Sequence, residues 1–177
     1  MQTYPYISNM MDTQRTMLTL LTEEDLPAMT DLSKEPDTFK YIRKLQVMTT
    51  AEYQAFLRLK LEQIRSGTGY HWAVRLKSDH TFIGAVNLNP ITGTDKLQIG
   101  CQLKREYWGQ GFASELTKRI LTFGIDELGL AAVYGVFEKD NIVSRRLLER
   151  LGFTWEESLV SQGVEIEIHS FAAPIPR

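Results

Sequence analysis

The stretch Trp108-Gly109-Gln110-Gly111-Phe112-Ala113-Ser114 sets two glycines and several small residues just ahead of an amphipathic run. Glycines at a strand-to-helix turn let the backbone come close to a ligand and aim several N–H groups at one point. The dipole of the following helix adds partial positive charge, so such a turn suits a phosphate or pyrophosphate. A tight turn that only packs small residues would carry the same local sequence, so the segment needs support from elsewhere in the chain. A P-loop would place Lys and then Ser or Thr after the second glycine, where Phe112-Ala113 stand. A dinucleotide fingerprint needs a third small residue, which Ser114 supplies, and an acid ~20 residues on. The strand-end acid Glu138 comes 27 residues after Gly111, and hairpins rather than a βαβ unit precede the turn.

The support comes thirty residues after Gly111, in Asn141-Ile142-Val143-Ser144 followed by Leu147-Leu148-Glu149-Arg150-Leu151-Gly152-Phe153. Together with Ile99-Gly100, Glu115 and the opening Thr13-Gln14-Arg15, these strings resemble the GNAT acetyltransferase superfamily. Within it they look most like the RimJ/RimL type, the branch that acetylates ribosomal-protein N-termini. Gln14 stands where that branch usually has Glu. The resemblance implies acetyl-CoA as cosubstrate, lying where strands 96–103 and 133–138 splay apart. It implies that pantetheine amides bond the backbone near Gln102 and Leu103. It implies that N–H groups of Gln110, Gly111, Phe112, Ala113 and Ser114 hold the pyrophosphate. Trp108 replaces the superfamily's usual Arg or Gln and is expected to pack under the loop.

An amine must be neutral to attack a thioester. At pH 7 a lysine amine costs about 4–5 kcal/mol to deprotonate and an α-amine about 1. The departing thiolate needs a proton or a strong hydrogen bond. Many superfamily members carry a tyrosine seven residues after the asparagine, and Leu148 stands there. The closer branch places a serine three after the asparagine near the sulfur, which makes Ser144 the expected donor. A helix-capping role for Ser144 is the competing reading. Asn141 is expected to cap the same helix and to bond the pantetheine arm or the substrate carbonyl. No base stands out. Glu138 is the carboxylate nearest the cleft in sequence, while Glu167 and His169 fall on the non-core face of their strand, and all three are expected to be solvated. Cys101 shares an apolar row with Ile99 and Leu103 and reads as a core thiol. Lys104, Arg105, Lys118, Arg119, Lys139, Arg145 and Arg146 lie near the motifs in sequence and are candidates for the CoA phosphates.

The elements that must position these groups are legible in the hydrophobic pattern. Strands are expected over 17–21, 70–76, 81–88, 96–103, 133–137, 154–160 and 164–171. Thr22 with Asp25, and Thr49 with Glu52, mark two helix starts. Tyr53, Phe56, Leu57, Leu61 and Ile64 lie on one face of the second helix. A third helix is expected over 113–128. A fourth is expected over 141–151, with Val143, Leu147 and Leu151 inward. The order predicts an α/β (α+β) fold: a mixed, mostly antiparallel sheet of about seven strands with helices on both faces. Residues 1–12 read as a loose arm before a single domain over 13–177. The tail Pro174-Ile175-Pro176-Arg177 cannot be helical. Tyr41, Tyr70 and Trp72 are candidates for an acceptor pocket or for the core.

Apolar residues make up 43% of the 177, too many for a disordered chain. Net charge is −2, which argues against a bulk nucleic-acid binder. No run of 18 apolar residues exists to span a membrane. One cysteine and three scattered histidines give neither a disulfide nor metal-ligand spacing, which points to the cytoplasm and to no metal. The expected partner is an amine, with the chain a monomer or homodimer. A non-catalytic acyl-CoA-binding module of the same fold is the alternative.

Overall fold

A computed structural model describes residues 10–174. Eight strands form one sheet: β1 (Met10–Asp12), β2 (Thr16–Leu20), β3 (Tyr70–Leu76), β4 (Phe82–Pro90), β5 (Leu97–Leu103), β6 (Ala132–Glu138), β7 (Thr154–Ser161) and β8 (Val164–Ala172). Their order across the sheet is β1-β2-β3-β4-β5-β6-β8-β7, and every neighbouring pair is antiparallel except β5 and β6. Five α-helices stand among the described residues: α1 (Leu26–Ser33), α2 (Arg43–Gln46), α3 (Thr50–Arg65), α4 (Phe112–Thr122) and α5 (Ile142–Arg150). This is the fold class the sequence predicts, with one strand and the short helix α2 more. The extra strand is β1, which falls inside the expected loose arm; Met11 pairs with Leu18 and is buried, so residues 10–12 join the sheet. Residues 1–9 of that arm and 175–177 of the tail lie outside the described residues. No described helix is long and apolar enough to cross a membrane.

Alternation along the central strands builds two cores, one on each face of the sheet. Trp72, Val74, Val86 and Leu88 face α4, where Leu116 and Ile120 meet them, with Phe123 just beyond the helix end. Ala73 and Ala85 face the other way, and their small size admits α1 and α3 through Leu32, Leu57 and Leu61. Tyr70 and Trp72 stack at 5.7 Å, with Phe123 edge-on to both, so these two aromatics belong to the core and not to an acceptor pocket. The expected capping box opens α3: Glu52 N–H donates to Thr49 Oγ1 at 3.2 Å and Thr49 N–H to Glu52 Oε2 at 2.7 Å.

Two helices depart from expectation. Regular α4 ends at Thr122, and the chain widens into a π-turn over Phe123–Glu127, where Leu128 N–H reaches back to Phe123 O at 3.0 Å. On α5, Val143 is 78% exposed while Leu148 is buried. The reason lies in β6: a Cβ on Gly135 would stand 2.2 Å from Leu148 Cδ1, so the missing side chain makes the socket that sets the helix rotation.

Candidate functional site

The parallel pair β5–β6 is registered at a single position, Gln98 with Tyr134. Beyond it the strands part, and their carboxyl ends form the walls of a cleft. The peptide groups lining the β5 wall follow from its pairing on the other side. Ile91 N–H donates to Lys96 O at 2.9 Å and Lys104 N–H to Ile83 O at 2.8 Å. By antiparallel alternation the even-numbered residues of β5 therefore bond β4, and Cys101 and Leu103 turn their peptide groups toward the cleft. Gln102 O points at β4, where it would meet a Cβ on Gly84 at 2.1 Å. The backbone of Gln102 is thus committed to the sheet, which corrects the expectation of a pantetheine contact there. Leu103 is on the correct side, but its C=O already accepts Trp108 Nε1 at 2.8 Å. Trp108 is 45% exposed, so it caps that carbonyl from outside instead of packing under the loop.

The loop after β5 delivers α4 to the mouth of the cleft. Gly109 and Gly111 both take positive φ, +71° and +85°, conformations closed to most L-residues. Gly111 is the N-cap and carries no capping side chain; Glu115 N–H is the first to bond back, to Gly111 O at 3.1 Å. The N–H groups of Phe112, Ala113 and Ser114 therefore have no intrahelical acceptor and present a positive helix end. The Gln110 side chain folds back on Glu106 O at 2.6 Å, leaving only its backbone for a ligand. Arg15, from the turn before β2, braces this end. Its Nε donates to Glu115 Oε2 at 2.8 Å and an Nη to Gln110 O at 3.0 Å, and its guanidinium lies 3.9 Å from the Phe112 ring centroid. Burial would raise the Glu115 carboxyl, but hydrogen bonds from Thr13 and Arg15 outweigh it and hold it below the usual range. Arg15 and Glu115 stand in the quoted motif strings, yet only the fold shows that they meet.

Helix α5 starts at the opposite wall. Asn141 Oδ1 accepts Ser144 N–H at 3.1 Å and caps the helix as expected. The Ser144 hydroxyl has no hydrogen-bond partner among the described residues and is half-buried, so capping does not consume it. One residue on, Arg145 donates to Lys139 O at 3.1 Å and to Glu167 Oε1 at 2.7 Å, and Glu167 Oε2 meets His169 Nε2 at 3.1 Å. Glu167 and His169 are buried, contrary to the expectation of a solvated pair. They pair across β6 with Phe137 and Gly135, on the face that α5 covers, and the His169 ring lies 4.9 Å from that of Phe137. Glu138 is also buried, on the other face, where Arg43 Nε of α2 stands 3.4 Å from Oε1. Cys101 packs against the core, and burial pushes its thiol up to about 12, as befits an inert core thiol.

The candidate phosphate-binding cations divide. Arg105 pairs with Asp37, Arg119 with Glu127, Lys139 with Glu165 and Arg145 with Glu167. Lys104, Lys118 and Arg146 have no ion-pair partner among the described residues.

The acetyltransferase (GNAT) domain family matches residues 15–154. YoaA of Bacillus subtilis (strain 168), an uncharacterized N-acetyltransferase, is 23% identical over 147 residues, covering 82% of this chain and 83% of its own. Among solved structures, RimL, a ribosomal L7/L12 alpha-N-protein acetyltransferase in complex with coenzyme A, superposes with a TM-score of 0.80 at 16% identity. That match covers 93% of this chain and 98% of RimL. Spermidine N-acetyltransferase from Vibrio cholerae, in complex with CoA and spermine, gives 0.75 at 21% identity, covering 89% and 95%. With the family matched over most of its length and the fold shared, the chain belongs to the GNAT acetyltransferase family, an N-acetyltransferase by class.

Proposed function

We propose that the protein moves an acetyl group from acetyl-CoA directly to a primary amine, and that the acceptor is a peptide or protein α-amine, as in the RimJ/RimL branch. The observation that carries this reading is the conjunction at one opening: strands that part after Gln98–Tyr134, a glycine-capped helix with three N–H groups that have no intrahelical acceptor on one wall, and on the other a Ser144 hydroxyl with no hydrogen-bond partner among the described residues. The pyrophosphate binds N–H groups over 110–114. The pantetheine arm runs along β5 as an added strand and bonds the cleft-facing peptide group of Cys101 and the N–H of Leu103.

The amine nitrogen attacks the thioester carbonyl, a C–N bond forms, and the C–S bond breaks with its electron pair on sulfur. The Ser144 hydroxyl, directly or through water, hydrogen-bonds that sulfur, and Asn141 fixes the helix end that holds Ser144. An α-amine suits this site because its neutral form costs only about 1 kcal/mol at pH 7. The lone half-buried thiol fits a reducing, cytoplasmic setting.

The test has two stages. Calorimetry with coenzyme A should give saturable binding; absence of heat overturns the assignment. Thiol release from acetyl-CoA is then measured with N-terminal peptides, polyamines, amino acids and aminoglycosides. Turnover with peptides above the others supports the α-amine reading, turnover only with small amines replaces it, and release with none refutes the reaction.

A further inference from the structure

Residues 34–48 form a strap that ties the two walls of the cleft together. On the β5 side, Glu35 Oε2 accepts Arg105 N–H at 2.9 Å and Asp37 Oδ2 accepts an Arg105 Nη at 3.0 Å. On the β6 side, Arg43 Nε stands 3.4 Å from Glu138 Oε1. Between these anchors Gln46 Nε2 donates to Phe39 O and Lys40 O, each at 2.6 Å, and Phe39 packs on Tyr53 of α3. The strap thus crosses the face opposite α5, and Glu138 lies beneath it at the parted end of β6.

The two partners of the β6 anchor are unequal. The Glu138 side chain is 11% exposed, while that of Arg43 is 60% exposed. No other side-chain hydrogen bond or ion pair reaches the Glu138 carboxylate from the described residues. A carboxylate has room for about four donors. Here a nearly buried one is served by a single long contact from a solvated side chain. Exposed pairs of that geometry hold weakly, whereas a desolvated carboxylate seeks a cation strongly. A primary ammonium is compact and brings three donors, so it satisfies the carboxylate better than one guanidinium Nε.

We propose that Glu138 is the site where the acceptor amine docks as its ammonium, and that Arg43 occupies the carboxylate until the acceptor displaces it. This rests on the acetyl-transfer reading and adds to it a residue for the acceptor. Once docked, the ammonium passes one proton to a Glu138 oxygen; the N–H bond breaks, an O–H bond forms, and the freed lone pair attacks the thioester carbonyl. As the C–N bond forms the C–S bond breaks with its electron pair on sulfur, and the second N–H proton passes to that thiolate, which leaves as the free thiol of coenzyme A. Arg43 then acts as a built-in competitor that sets the acceptor KM.

A structural ion pair and a competed site give opposite signs. KM for the amine and Kd for coenzyme A are measured in Glu138→Gln and Arg43→Gln, with whichever panel amine the wild type turns over best. Glu138→Gln should raise the amine KM about tenfold or more. Arg43→Gln should lower it several-fold, because the carboxylate is left without its competitor. Both should leave coenzyme A affinity unchanged. Asp37→Asn, which loosens the strap at its other anchor, should leave KM as it is. Movement of KM in the same direction in both Glu138→Gln and Arg43→Gln overturns the proposal, as does a lowering by Asp37→Asn equal to that by Arg43→Gln. Arg43 and Asp37 are exposed, so those variants fold even if Glu138→Gln does not. Wild-type turnover of no amine refutes the reaction itself and this assignment with it, whereas normal turnover with an unmoved KM in Glu138→Gln refutes this assignment alone.

Discussion

The Ser144 hydroxyl is held at the first turn of α5 by a backbone that Asn141 already caps, and no other group among the described residues claims its proton. A side chain free of structural duty is a clean mutational probe. Ser144→Ala should lower kcat about 100-fold, the range for a single proton donor, while coenzyme A affinity and stability stay near wild type. Stopped-flow or steady-state thiol release reads the first and calorimetry the second; an unchanged kcat removes Ser144 from the chemistry. At this scale the sequence was informative where spacing fixes geometry. An asparagine at a helix start with a serine three residues on places a cap and a hydroxyl regardless of the rest of the fold. It was uninformative for Glu138, Glu167 and His169. Alternation shows that Glu167 and His169 share a face and that their hydrophobic neighbours share the other. It does not show that α5 covers the first face and α2 the second, because a strand's period carries no information on which helix packs against which side.

The seating of α5 on β6 is the contact between elements on which the site depends most. Gly135 leaves a socket that Leu148 fills, with 2.2 Å between Leu148 Cδ1 and the place a Cβ would take. Gly135→Ala should push the helix outward, cost about 1–3 kcal/mol and lower kcat, since Ser144 rides on the same helix. Leu148→Ala alone should cost about 2–5 kcal/mol through the cavity it leaves. In the double variant the added methyl enters the vacated space, so its loss in urea denaturation should be clearly smaller than the two single losses added together. Additive losses would show that the two residues do not act as knob and socket. The four longer helices and seven of the strands were legible because each shows a periodicity of its own. The inward face of α5 is not set by the sequence pattern, since Val143 and Leu147 fit a helical stripe as well as Ser144, Leu148 and Leu151 do. Only the missing Cβ on β6 chooses between them. The strap over 34–48 was not legible at all: it has no period, and its anchors Glu35, Asp37 and Arg43 look like any solvated charges until Arg105 and Glu138 come opposite them.

At the scale of the whole molecule, the face that carries α1 and α3 contains a buried titratable group that couples folding to pH. His71 is 8% exposed, and neutral Nε2–H donates to Gln63 Oε1 at 3.1 Å, an oxygen that also accepts Lys60 Nζ at 3.3 Å. Burial, and then the nearby Lys60 charge, push the imidazole down to about 3 from its ordinary 6.5. The native state therefore stays unprotonated through mildly acid pH, while the unfolded chain takes up a proton below 6.5. Stability from this residue is complete above 6.5 and falls as pH drops toward 3, by up to about 1.4 kcal/mol per pH unit. The carboxyls held low by hydrogen bonds, Glu115 among them, begin to contribute only nearer pH 4.5. Between 6.5 and 5 the His71 contribution to the unfolding free energy should therefore fall by about 2 kcal/mol. Urea midpoints at those two pH values measure it. His71→Gln, which cannot take up a proton, should be nearly level across the same interval even if it starts from a lower stability. A level wild type, or a variant that falls as steeply, would mean that the imidazole reaches water in the native state and that α3 does not seal this side of the sheet.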